Sequence, residues 1–208
     1  STRTDTLFPY TTLFRSSIYW INLDRATDRK THMENLFLDD AFKGIKINRI
    51  KALDAMNEDA RDKFVLTLDV TSRNMDKSNT EYACLFSHLE AIRAFSKTDK
   101  PIALITEDDL SMEYKQYWMK SIKDILKRAP KDWDIIKLSS FNQVPTKLYT
   151  AWKPIHRKHK IDINWSLVAY LINNRAAKKL IKEIYHKHKY VLNNDCYHQA
   201  DVFIYQKL

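Results

Sequence analysis

Pro101-Ile102-Ala103-Leu104-Ile105-Thr106-Glu107-Asp108-Asp109 is the stretch on which the fold turns. Residues 102–105 are all apolar, with an isoleucine at each end, and they predict a short strand buried on both faces, since no polar residue alternates with them. A strand of that kind needs cover on each side, as in an α/β sheet flanked by helices. Three carboxylates follow at its carboxyl end, where such sheets bind their ligands.

Upstream, Tyr82, Leu85, Phe86, Leu89, Ile92 and Phe95 recur at helical spacing and predict a helix over 81–95. Further back, 18–23 reads as the first core strand. Residues 24–42 read as a helix with Thr27 and Asp28 as candidate N-caps and Gly44 as its stop, and 47–53 as a second strand. The polar stretch 54–80 reads as a loop with a short helix near 59–64. Downstream, the pattern predicts a helix over 112–127, strands over 134–138 and 165–172, and a helix over 174–186. Strands alternating with helices predict an α/β fold with a mostly parallel sheet in a single domain.

The 208 residues are 44% hydrophobic and 29% charged, which suffices for one domain with a core but not for two. A net charge of +9 predicts a surface that attracts anions, among them nucleic acid, acidic glycolipid and nucleotide diphosphate. The single glycine, Gly44, excludes both the P-loop and the dinucleotide fingerprint, which need several glycines for close backbone approach to phosphate. A diphosphate would have to be met by basic side chains or by a divalent cation on carboxylates. Cys84 and Cys196 are too few for a disulfide framework and read as buried free thiols. No run approaches the ~18 apolar residues of a membrane span.

Residues 1–16 show neither periodicity and resemble a translated sequencing adapter, so they are set aside as a non-native leader. Removing Arg3, Arg15 and Asp5 takes the charge from +9 to +8. The domain is then 17–208, with the native N-terminus expected to be missing and the apolar ending at Leu208 read as a truncation.

Glu107-Asp108-Asp109 is the strongest local signal. Adjacent like charges are best tolerated when water or a cation offsets them, and Mn²⁺ or Mg²⁺ suits carboxylate oxygens. If the extended conformation continues, Glu107 and Asp109 point the same way and Asp108 does not. On the residues alone, a solvated turn or helix N-cap is an equal alternative.

Five stretches, in order and in register, resemble glycosyltransferase family 25, the lipopolysaccharide-biosynthesis and procollagen-galactosyltransferase type. They are Ile21-Asn22-Leu23-Asp24-Arg25 with Arg29, Ala83-Cys84-Leu85-Phe86-Ser87-His88-Leu89 with Ala91-Ile92, Ile105 to Asp109, Asp134-Ile135-Ile136-Lys137-Leu138, and Ala169-Tyr170-Leu171-Ile172 with 176–180. The resemblance implies a GT-A type (Rossmann-like) fold, a UDP-sugar donor, often UDP-galactose, a divalent metal (Mn²⁺ or Mg²⁺) and transfer with inversion.

Carried over, Glu107 and Asp109 match the acidic motif that holds the metal, Asp109 as the direct ligand and Glu107 with Glu in place of the usual first Asp. Asn22, Arg25 and Arg29, near the end of the first strand, are candidate donor-binding residues, since amide and guanidinium groups can bond uracil, ribose or phosphate. Ser87, His88 and Asp108 join that donor group. Asp195 and Asp201 are candidate bases for the acceptor hydroxyl, and Asp201 matches the family's late aspartate better. The basic run 153–160 reads as a solvated loop or an anionic-acceptor contact.

The partners implied are a UDP-sugar and a saccharide, glycolipid or glycoprotein acceptor, with no specific nucleic acid. A cytoplasmic protein able to lie peripherally on a membrane is expected. Two other readings stay open at this level: a metal-dependent nuclease or phosphodiesterase, and an inactive carbohydrate-binding module on the same fold.

Overall fold

The chain enters the sheet through β1 (Ser16–Asn22), every residue of which is buried. The structure is a computed structural model that describes residues 16–67, 77–118, 120–139, 166–193 and 196–208. β1 takes in Ser16, the last residue of the segment set aside above.

α1 (Thr27–Leu36) follows, shorter than the predicted 24–42. Thr27 and Asp28 are its first residues rather than its caps; Ala26 holds the cap position with no side-chain bond. The chain then makes a separate 3-10 turn, Asp40–Phe42, capped by the Asp39 carboxylate on the Ala41 N–H, and Gly44 at φ +78 leads into β2 (Lys46–Lys51). That left-handed φ is where glycine is favoured.

In the polar stretch 54–80, the short helix expected near 59–64 is a 3-10 turn (Ala60–Lys63), and an unforeseen strand, β3 (Phe64–Thr67), follows it. α2 (Asn79–Ser96) begins with a complete capping box between Ser78 and Glu81, and buries Tyr82, Leu85, Leu89, Ile92 and Phe95 as their spacing predicts. β4 (Ile102–Glu107) is the apolar strand expected before the acidic triplet, with Ala103 to Thr106 buried. In place of a helix over 112–127, a 3-10 turn (Lys115–Tyr117) precedes a short α3 (Ile122–Arg128) with its own capping box from Ser121.

The rest comprises β5 (Ile135–Lys137), β6 (Ala169–Asn173), α4 (Asn174–Ile184), β7 (Tyr185–His186), β8 (Lys189–Asn193) and α5 (Ala200–Lys207). β7 and β8 form a hairpin through Lys187 and His188, both at positive φ, where the sequence reading had extended the helix to 186. Asp195, Trp165 and the basic run 153–160 lie outside the described residues.

The main sheet has the order β2-β1-β4-β6-β5. β2, β1 and β4 are mutually parallel, but β6 runs antiparallel between β4 and β5, so the sheet is mixed rather than mostly parallel. The cause of the misreading is physical. Ala169 to Ile172 are buried on both faces, and a doubly buried strand has the same apolar pattern whichever way it runs. β3, β8 and β7 form a second, three-stranded sheet.

Alternate strand residues feed two cores. Tyr19, Ile21, Ala103, Ile105, Tyr170 and Ile172 pack with α2, α4 and α5, while Ile18, Leu104, Ala169 and Leu171 pack with Phe42, Ile45 and α3. This double cover leaves the carboxyl ends of β1, β4 and β5 as the polar edge. Among the described residues, no helix is long and apolar enough to cross a membrane.

Candidate functional site

β1 and β4 pair in parallel with Ile21 opposite Glu107, so their ends place Asn22 beside Asp108. The strand stops at Glu107 and the chain turns through Asp108 and Asp109. The alternation that would align Glu107 with Asp109 therefore ends before it can act, and each carboxylate has its own surroundings.

Asp108 turns inward and is buried. It accepts a 2.7 Å bond from Asn22 Nδ2 and a 2.9 Å bond from Arg29 Nη1. Asn22 is itself fully engaged, since Nδ2 also donates to the Ala26 carbonyl and Oδ1 accepts two bonds from Arg49, at 3.0 and 2.7 Å. Asn22, a candidate donor-binding residue, thereby links Asp108 to Arg49. Arg49 also lies over the Trp20 ring and pairs with Asp24. Sequence reasoning missed it, although a lone arginine inside the apolar alternation of β2 was a visible signal.

Glu107 faces α2. Its Oε1 is 3.3 Å from Nε2 of the buried His88, whose Nδ1 is 3.3 Å from the hydroxyl of Tyr170 on β6. Burial opposes a charged His88, but the neighbouring Cys84 sulfur and Glu107 carboxylate outweigh it and raise its pKa to about 9. Burial likewise opposes an ionised Glu107, yet His88 and Arg29 hold it below its ordinary value. Cys84, expected to be buried, is exposed on α2 one turn before His88.

Asp109 is exposed. Partial desolvation and the charge of Glu107 raise its pKa, and no side chain among the described residues donates to it. It is the carboxylate of the three left open to a ligand.

A sequence model of glycosyltransferase family 25 (LPS biosynthesis protein) matches residues 15–198. The chain belongs to glycosyltransferase family 25. No match was found among curated proteins.

In this family 25 domain the other expected site residues divide into two groups. Arg25 leaves the triplet and donates to Asp54 at 2.7 Å. Ser87 is buried, accepting from the Leu53 N–H and donating to the Ala83 carbonyl, so it fastens the chain after β2 to α2. Asp201 sits in the first turn of α5, where a carboxylate also suits the helix N-terminus. It is nonetheless on the site's side of the fold: both Asp201 and Glu107 act on the buried Tyr205 hydroxyl, whose pKa burial already raises. Lys137, at the end of β5, lies with its ammonium 5.4 Å from the Tyr205 ring centroid. Burial lowers its pKa to about 8 against the pull of Asp201. Tyr170, Lys137 and Tyr205 thus complete a polar edge that the sequence showed only as strand and tail.

Among the described residues, no group of three or more His, Cys, Asp or Glu side chains is arranged to hold a metal ion by itself. The donor set still fits the hard cation of the family expectation in a more limited way. Mg²⁺-like ions are often held by one or two carboxylates with substrate phosphates completing the shell; exposed Asp109 would supply one, and the Glu107 oxygen that does not face His88 would be the second.

Proposed function

We propose that this domain transfers a hexose, with galactose the expected sugar, from a UDP-sugar to a saccharide or glycolipid acceptor, with inversion. The observation that carries the reading is the anchoring of buried Asp108 by Asn22 and Arg29, which presents Asp109 outward at the joint carboxyl end of β1 and β4. The parallel β2-β1-β4 half of the sheet supports a GT-A type scaffold.

Asp109, with Glu107, would hold Mn²⁺ or Mg²⁺. Bound there, the cation would supply the positive charge that a departing diphosphate requires. Arg29, 60% exposed at its side chain, faces the same edge and adds a guanidinium for phosphate oxygens. Asp201 takes the proton of the acceptor hydroxyl as its oxygen bonds to the anomeric carbon. The bond from that carbon to the diphosphate oxygen breaks on the opposite face, and the nucleoside diphosphate leaves with the electron pair. The His88–Glu107 pair fixes the orientation of Glu107, and Tyr170 fixes the ring of His88.

A thermal-shift screen of UDP-sugars, with and without Mn²⁺, on wild type and Asp109→Ala tests this. A metal-dependent rise with one UDP-sugar, lost in the variant, is the expected result. No rise with any UDP-sugar overturns it.

A further inference from the structure

The chain leaving the acidic triplet forms a strap pinned to α1 and the turn after it. His32 Nε2 meets the Leu110 carbonyl at 2.9 Å, the Lys115 ammonium pairs with Asp39 at 3.0 Å, and Leu110 and Met112 pack on the second core. A 3-10 turn follows, closed by N–H bonds from Tyr117 to the Tyr114 carbonyl and from Trp118 to the Lys115 carbonyl.

On this fixed backbone three aromatic rings face solvent. Tyr114 is 65%, Tyr117 71% and Trp118 45% exposed, and among the described residues these are the exposed large aromatics. The two tyrosine rings are 6.4 Å apart with planes inclined by 36°, which makes a shallow trough. Large exposed apolar groups gathered in one place mark a binding surface.

The kind of ligand follows from the chemistry. A pyranose has an apolar C–H face and a rim of hydroxyls, matching a side chain with an apolar ring and a polar tip. Tyr and Trp also lose little conformational freedom on binding. An anionic membrane surface fits less well, because the strap's lysine is already paired with Asp39 and Glu113 is exposed next to Tyr114. The position fits too: Tyr114 is five steps along the chain from Asp109, so their Cα atoms are at most about 18 Å apart.

We infer that Tyr114, Tyr117 and Trp118 form a saccharide-binding platform that holds the acceptor chain while its reacting end lies at the triplet. The inference rests on the triplet being the donor site. The test is a fluorescence and NMR titration of wild type, Tyr114→Ala/Tyr117→Ala and Tyr114→Phe/Tyr117→Phe with lactose, maltose, cellobiose and chitobiose, each read beside UDP affinity. At least one disaccharide should bind wild type, about tenfold more weakly to the double-alanine variant, with affinity largely restored by phenylalanine and UDP affinity alike in all three.

Absence of disaccharide binding to wild type, or equal binding to wild type and the alanine variant, overturns the platform. So does sedimentation with phosphatidylcholine–phosphatidylglycerol vesicles that the alanine substitutions abolish while saccharide binding is untouched. A wild type that binds saccharide through these rings but does not bind UDP would overturn the donor site and the acceptor role with it, while the rings remain a saccharide-binding surface.

Discussion

The Asn22 carboxamide donates a 2.7 Å hydrogen bond to the Asp108 carboxylate, joining the ends of β1 and β4 across 86 residues of sequence. Arg29 completes the arrangement from α1. Asp108→Ala strands a buried amide and releases a guanidinium, and leaving a buried donor unmet costs about 1–3 kcal/mol. Urea denaturation should show that loss, and UDP-sugar affinity should fall with it. Asn22→Leu should reproduce both effects, because Asp108 and Arg49 lose the same link.

Asp109 should behave in the opposite way. Desolvation and Glu107 disfavour its ionised form, so the fold carries a small repulsion there. Asp109→Asn should leave stability within about 0.5 kcal/mol of wild type, as surface substitutions do, while removing the metal-dependent response to UDP-sugar. Loss of stability comparable to that of Asp108→Ala would show that Asp109 is a structural carboxylate.

That contrast marks how far the sequence could be read. The apolar runs of β1 and β4 and the helical spacing of α2 were legible because each follows from burial within a few residues. The reversal of β6 was not, since its pattern is the same in either direction. The division of labour within the triplet was also hidden: it depends on Asn22 and Arg29, brought in by β1 and α1 from far away in sequence. Ser87 and Arg25 were singled out by resemblance, and their bonds to Leu53 and Asp54 became visible only in three dimensions. Tyr170 and Tyr205 gave no signal, because a tyrosine in an apolar run reads as core.

The His88–Glu107 pair predicts a pH window. The folded-state pKa of His88 is about 9, above its ordinary 6.5. The folded protein therefore holds the proton more tightly than the unfolded chain, and the stabilisation is complete below about pH 6.5 and fades as pH rises through 9. Melting from pH 6 to 10 should show wild type losing about 3 kcal/mol relative to His88→Gln across that window. Parallel curves for the two proteins would mean that His88 is neutral in the fold.

Asp201 allows binding to be separated from chemistry. It lies in the first turn of α5, on the edge shared with Glu107, Tyr205 and Lys137. A base acts on the acceptor proton and contributes little to holding the donor, and general-base catalysis is typically worth about 10²–10⁴-fold in rate. Asp201→Asn should therefore lower transfer by about that factor with UDP affinity unchanged. Its effect on the fold should be small, because the carboxamide keeps an oxygen able to accept the Val202 N–H bond that Asp201 receives at 2.9 Å. If Asp201→Asn transfers sugar at the wild-type rate but melts earlier, Asp201 serves the start of α5, and the base must be sought elsewhere along the same edge.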